Sequence, residues 1–308
     1  MPVISAKNLI KKFGSLTAVD GVSFAVEKGE IFALLGPNGA GKTTTLEILE
    51  GLQEKTSGDI SILGFDIQKQ LLEIKKRIGI QLQASAFYEY LNLKELLDLF
   101  SSFYNQKVNA LELLQSVGLE SKIKSFVTQL SGGQKQRFSI IAALVNNPEI
   151  VFLDEPTTGL DPQARRNLWQ IIDNIRVQGK TVILTTHYMD EAQVLANRIA
   201  IMDNGRIIDE GTAKELIAKL PYPFKIIIRS QKEVILDKKD GRITIVHQEF
   251  DEQKQTHEFS FGVKDVGQTL PYILEKLKEQ EISFNDLEVV PGSLEDVFLR
   301  LTGKELRD

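Results

Sequence analysis

The 308-residue sequence contains no cysteine. Disulfides, thiolate metal sites and cysteine nucleophiles are thereby excluded, and a reducing compartment suits the chain. No apolar run approaches the ~20 residues needed to span a bilayer. The start, MPVISAKNLIKKF, lacks the apolar core of a signal peptide. Any membrane role is therefore expected to come through a partner. Positive charge is also short: 37 Lys and Arg against 42 Asp and Glu leave a net charge of -5. A dedicated nucleic-acid binder usually carries a strongly basic face, so none is expected. There is no internal repeat and no low-complexity tract, which excludes a tandem duplication.

What is present describes an ordinary globular protein, with 42% hydrophobic and 26% charged residues, and at this length two domains are the better expectation. Three short, almost wholly apolar runs stand out: IFALL at 31–35, IVFL at 150–153 and TVIL at 181–184. Runs of this kind form parallel strands covered on both faces. Each ends in polar residues, GPNGAGKTT, DEPTTGLD and TTH respectively. Open α/β sheets bind ligands beyond the carboxyl ends of their strands, so these three endings outline a site.

Between the first two runs, LNLKELLDLFSSFYN, NALELLQSVGL and the stretch from Phe138 through Ile141 and Ala142 to Val145 carry helical apolar spacing. A helical subdomain inserted at about 93–147 is expected, with Pro148 ending its last helix. VISAKNLIKKF and AVDGVSFAV alternate as strands do and predict an antiparallel flank. After Leu220 the texture changes. PYP reads as a linker, followed by short strands (KIIIR, EVILD, RITIV, HEFSFG) and then the helical LPYILEKLKEQ and SLEDVFLRLTG. The expected division is therefore 1–220 and a small α+β unit at 221–308.

GPNGAGKT, Gly36 to Thr43, fits a P-loop between strand and helix. Gly39 and Gly41 let backbone N–H groups approach phosphate oxygens, Lys42 reaches the β and γ phosphates, and Thr43 offers its hydroxyl to magnesium. At the end of IVFLDE, neighbouring residues point to opposite sides. Asp154 and Glu155 are thus expected to divide the work, one facing magnesium and the other the γ-phosphate and an attacking water. In RIGIQLQ, Ile78, Ile80 and Leu82 share one face and Gln81 and Gln83 the other; spacing leaves open which glutamine reaches the metal or the water. His187, one of three histidines, follows directly on a core strand. LSGGQKQR poses a separate question. Ser131 as N-cap, bare Gly132 and Gly133, and Gln134 at the capping-box position make a second helix start suited to an anion.

In order and separation, the P-loop, LSGGQ, the acidic strand end with Glu155, TGLD and His187 resemble the ATP-binding subunit of ABC transporters, over about Val3 to Lys219. The resemblance implies an α/β fold: a P-loop NTPase core with an antiparallel β flank and an inserted helical subdomain, plus the small C-terminal α+β domain. It implies ATP hydrolysis with Mg2+. Gly36, Pro37, Asn38, Gly39, Ala40, Gly41, Lys42, Thr43 and Thr44 would hold the nucleotide, with Phe13 stacked on adenine. Gln83 matches the Q-loop glutamine near metal and water, Asp161 the D-loop aspartate at the dimer interface, and His187 the switch histidine near the γ-phosphate. Two copies, or this chain and a second ATPase subunit, would pair head to tail. Ser131, Gly132, Gly133 and Gln134 of one then close over the ATP on the P-loop of the other. A separate transmembrane permease would hold the dimer at the cytoplasmic face of the membrane. SLEDVFLRLTGKEL is similar to the ending of ATPases that serve ABC-2-type exporters of drugs, polysaccharides or sodium. The alternative is a soluble ABC ATPase acting on the ribosome or nucleic acid; such proteins commonly carry two cassettes, long coiled-coil insertions or zinc-binding cysteines, and none is found in this sequence.

Overall fold

A computed structural model of the chain describes residues 2–82, 87–234, 242–251 and 255–303. It divides into two compact units, the first ending at Ala213 and the second beginning at Lys214. In chain order the first contains β1 (Ile4–Phe13), β2 (Leu16–Val26), β3 (Ile31–Leu35), α1 (Lys42–Leu49), β4 (Ser57–Ile62), β5 (Phe65–Asp66), α2 (Leu71–Lys75) and β6 (Ile78–Gln81). There follow α3 (Leu93–Ser102), α4 (Ala110–Ser116), α5 (Gly132–Ala142), β7 (Ile150–Asp154), α6 (Pro162–Val177), β8 (Thr181–Thr186), α7 (Met189–Leu195), β9 (Arg198–Asp203) and β10 (Arg206–Gly211). A short helix, α8 (Ala213–Ala218), lies at the boundary.

The three apolar runs are the strands β3, β7 and β8, and every residue in them is buried. They lie in a six-stranded sheet of order β10-β9-β3-β8-β7-β6, in which each neighbouring pair from β9 to β6 is parallel. Residues without water on either face need no polar alternation, which is why these strands read as unbroken apolar words. Antiparallel β10 is joined to β9 by Asn204 and Gly205, at φ 47° and 77°, the pair of positive angles that a tight two-residue hairpin demands. The expected flank is a second sheet of order β2-β1-β4-β5, antiparallel throughout. Ile4, Leu9, Val22 and Val26 on its inner face share one core with Phe32, Leu34 and Leu46, and Phe24 stacks on Phe32 with ring centroids 5.2 Å apart.

The helical insertion holds its own core of Leu93, Leu97, Leu114, Phe138, Ile141 and Val145. Its helices begin where side chains satisfy their first N–H groups: Asn92 and Glu95 form a capping box on α3, and Asn109 caps α4. One expectation fails. Pro148 does not end α5, which stops at Ala142. The chain then turns through Leu144 and Asn147, and the Asn146 amide donates to the carbonyls of Lys76 and Ile78. Val145 reaches the core from this turn, so the apolar period outlasts the helix. Leu82 also departs from its expected place: β6 ends at Gln81, and Leu82 is 42% exposed while Gln81 is buried.

The second unit has β11 (Phe224–Ser230), β12 (Ile243–Asp251), β13 (Thr256–Val263), α9 (Val266–Glu279), β14 (Phe284–Pro291) and α10 (Leu294–Thr302). Its sheet, of order β12-β13-β11-β14, is antiparallel, around a core that includes Ile226, Ile228, Phe259, Phe261 and Ile273. Most of EVILD lies outside the described residues. The expected order of strands then helices is corrected by β14, an edge strand lying between the two helices. FNDLEVVP has exposed or half-exposed side chains along its length, so it gives no apolar signal.

Gly79 in β6 faces α5 at closest approach. A Cβ there would lie 2.0 Å from the Ala143 carbonyl oxygen, a backbone atom that cannot swing aside. Gly79→Ala is therefore expected to destabilise the first unit by about 1–3 kcal/mol, seen in differential scanning fluorimetry as a Tm several degrees below the parent.

Candidate active site

The loop from Gly36 to Gly41 joins the end of β3 to α1. Gly41, at φ 96°, precedes the helix, and no side chain caps that end, which leaves its first N–H groups for an anion. Glycine is required: a Cβ at 41 would lie 2.4 Å from the Ala18 carbonyl oxygen. Lys42, 4% exposed, donates from Nζ to the carbonyls of Gly36 (2.8 Å) and Pro37 (3.1 Å) and lies 3.4 Å from Glu155 Oε1. Burial pulls its pKa down, against the raising effect of Glu155.

Asp154 and Glu155 diverge. Asp154 ends β7, and its Oδ1 accepts from Thr43 Oγ1 at 3.2 Å and from Thr185 Oγ1. Glu155 lies just past the strand at φ 45°, a left-handed conformation that a side chain makes costly. Its N–H donates to Thr185 Oγ1 (2.9 Å), and Thr158 Oγ1 donates to its Oε2 (3.1 Å). His187 Nδ1 is 3.3 Å from the same Oε2. Burial pushes Asp154 above its ordinary value despite its two hydroxyl donors. Burial would raise Glu155 as well, but the charges of Lys42 and His187 and its hydrogen bonds outweigh it and hold the carboxyl below the ordinary range.

Phe13, Asn38, Gly39, Gly41, Lys42, Thr43, Thr44 and Glu155 line one cleft of about 470 Å3. Phe13 is 44% exposed, with the Lys11 ammonium 4.6 Å from its ring centroid. The cleft also takes in residues that sequence reasoning missed: Leu16, Thr17 and Ala18 from the turn and strand after Phe13, and Asn204 and Gly205 from the β9–β10 hairpin. Asn-Gly announces a hairpin in the sequence, but not that the hairpin stands beside the phosphate loop. Thr185 was equally hidden, since nothing in TTH marks the first threonine as the bridge between Asp154 and the Glu155 backbone.

Ser131, Gly132, Gly133, Gln134 and Asp161 are not in that cleft. Ser131 and Gly132 are exposed at the start of α5, where the expected capping box forms: Ser131 Oγ accepts from the Gln134 N–H and Gln134 Oε1 accepts from the Ser131 N–H. Asp161 caps α6, accepting from the N–H groups of Gln163 and Ala164. Gln83 lies outside the described residues. Gln81 is buried, its amide donating to the Leu82 carbonyl.

Residues 19–158 match the family model described as ABC transporter. The chain is 35% identical to the linearmycin resistance ATP-binding protein of Bacillus subtilis (strain 168), covering 99% of this chain and 100% of that protein. It is 36% identical to Nod factor export ATP-binding protein I of Burkholderia lata, with full coverage of both. The chain belongs to the ABC transporter ATP-binding family. Its solved relatives include an ATP-binding subunit of an ABC transporter, at 30% identity and a TM-score of 0.64 over 70% of this chain and 92% of that one. Another is a dimeric ATP-binding cassette in a post-hydrolysis state bound to ADP and Pi, at 30% identity and a TM-score of 0.62 over 68% of this chain and 98% of that one. The protein is an ATP-binding, ATP-hydrolysing ABC transporter subunit. No described helix is long and apolar enough to cross a membrane.

Two measurements follow from this ABC ATPase site. Thr185→Val keeps the shape but leaves the buried Glu155 N–H without its acceptor, at a cost of about 1–3 kcal/mol. Lower Tm and lower ATP turnover are expected together, with both largely retained in Thr185→Ser. The second concerns Glu50, 1% exposed at the end of α1, whose pKa is pushed up to about 8 by burial and then by the charges of Asp154 and Glu47. From its ordinary value of 4.5 up to 8, the folded protein holds a proton that the unfolded chain releases, so Glu50 makes stability fall as pH rises through that window. Glu50→Gln should flatten this loss, as urea melts at both ends of the window will show.

Proposed function

We propose that the chain is the motor of an exporter: ATP closes a head-to-tail dimer, hydrolysis reopens it, and a separate transmembrane permease converts the motion into export. One observation carries this reading. The cleft that gathers the P-loop, Glu155 and Phe13 contains none of Ser131, Gly132, Gly133, Gln134 or Asp161. In this reading a single chain presents half of each site, and a second copy, or a second ATPase subunit, supplies the rest. The names of the relatives, a Nod factor export protein and a linearmycin resistance protein, support export over work on the ribosome or nucleic acid. A groove of about 390 Å3 in the first unit, lined in part by Leu82, Phe87, Phe100 and Phe103, supports contact with a permease at the cytoplasmic face of the membrane. Residues 1–220 then form the ATP-binding domain, with its helical subdomain at about 93–147, and 221–308 an accessory domain.

In this reading the loop N–H groups and Lys42 anchor the phosphates, and Phe13 stacks on the adenine. Glu155, kept ionised by Lys42 and His187, takes the proton from a water that attacks the γ-phosphorus as the bond to the β–γ bridging oxygen breaks. His187 orients the carboxylate and the departing phosphate, with Gln83 completing the water's surroundings. The Thr43 hydroxyl and the Asp154 carboxylate lie 3.2 Å apart and are hard oxygen donors of the kind Mg2+ prefers. Together with the nucleotide's own phosphates they would hold the ion, with Gln83 as a further ligand. When bound, Mg2+ neutralises charge on the β and γ phosphates.

Glu155→Gln should bind ATP, lose turnover by roughly 10²–10⁴-fold, and accumulate as an ATP-dependent dimer in light scattering. Adding Ser131→Arg to the same chain should leave ATP binding intact and prevent that dimer. A double variant that still dimerises with ATP would refute the head-to-tail arrangement.

A further inference from the structure

Arg165 and Trp169 lie four residues apart on α6, hence on one face of it. Both reach the segment after β8. The Arg165 guanidinium carbon lies 3.9 Å from the Tyr188 ring centroid, within cation–π range, and its Nη1 is 3.4 Å from Asp190 Oδ2. Trp169 Nε1 donates to Glu191 Oε1 at 3.1 Å, and Glu191 is wholly buried. Tyr188 packs in turn on His187, ring centroids 4.1 Å apart. His187 itself lies beyond the end of β8, outside the sheet's ladder, and α7 begins two residues later with no side chain capping it. A turn spans the histidine, the Tyr188 N–H donating to Thr186 Oγ1 at 2.9 Å, and the aromatic neighbour of its ring is Tyr188.

We propose that Arg165 and Trp169 form a two-point clamp on the segment that carries His187 and so aim its ring at Glu155: Arg165 acts through Tyr188, which packs on the ring, and Trp169 through Glu191, which anchors the first turn of α7 just beyond it. The proposal rests on the reading of His187 as acting beside the γ-phosphate. Arg165 and Trp169 are positioning residues, touching the reaction only through their partners. The clamp stands on the helix that Asp161 caps, so a single rigid element joins the TGLD loop to the histidine. Displacing that loop displaces the imidazole, which makes turnover sensitive to whatever engages Asp161.

The test uses the full chain. Arg165→Gln and Trp169→Phe should each lower kcat by roughly 10–100-fold, the scale of a small misplacement of a catalytic group. KM and ATP affinity by calorimetry should stay near the parent values in both, and Tm should stay so in Arg165→Gln; Trp169→Phe, which takes the donor from buried Glu191, should also lower Tm. Arg165→Lys, which keeps a cation over the ring, should recover part of the loss. In a Tyr188→Leu background, Arg165→Gln should cost nothing further. With only three histidines in the chain, the His187 signal in a 13C-histidine NMR spectrum can be identified by its loss in His187→Ala, and it should shift or broaden in Arg165→Gln. Full turnover in His187→Ala would sink the underlying reading of the histidine. If His187→Ala is inactive, the clamp is overturned by parental kcat in both α6 variants, by parallel losses of kcat and ATP affinity, by additive losses with Tyr188→Leu, or by an unmoved His187 signal.

Discussion

Lys42 and Glu155 confront each other at 3.4 Å with almost no water around either. Buried charges need partners, and breaking such a pair by removing one member is costly. Much of the surrounding architecture serves this one contact. The glycine-rich loop lends two carbonyls to the ammonium, Thr158 and His187 attend the carboxylate, and Thr185 holds its backbone. In the proposed function an arriving polyphosphate would compete for the same ammonium and so redistribute the electrostatic pairing around Glu155.

The position of this contact follows from the parallel sheet. β3, β7 and β8 lie side by side and end at the same edge, so GPNGAGKTT, DEPTT and TTH meet though they are separated by up to 150 residues of chain. The antiparallel flank brings Phe13 and Ala18 against the loop from a different layer, and the β9–β10 hairpin adds Asn204 and Gly205. Within the cleft Lys42 and Glu155 are buried, while Asn38, Gly39 and Phe13 are exposed.

The sequence made the buried strands, the phosphate loop and the capping box of α5 plain, because each has a local signature: unbroken apolar residues, fixed glycine spacing, a serine three residues before a glutamine. What stayed hidden depends on long-range contact. Thr185 joins two carboxylate-bearing residues from a neighbouring strand, and no spacing within TTH announces that. The end of α5 was misplaced because Val145 keeps the helical period after the helix has stopped. β14 was missed because an edge strand with Asn285, Asp286 and Glu288 shows no apolar alternation. The tail motif SLEDVF turns out to carry a local structural load: Ser293 and Asp296 cap α10, and Asp296, 3% exposed, pairs with Lys225 on β11 at 2.7 Å. Leu294, Val297 and Phe298 of the same motif are buried.

Glu155 occupies a left-handed backbone conformation for which glycine is the natural residue. Glycine there would relieve the backbone, yet it would also leave the Lys42 ammonium buried without its carboxylate. The strain at position 155 is thus locked in by the ion pair it makes possible. A thermostability screen of this chain finds no easy gain there, because the residue that suits the backbone is the one that abandons the lysine.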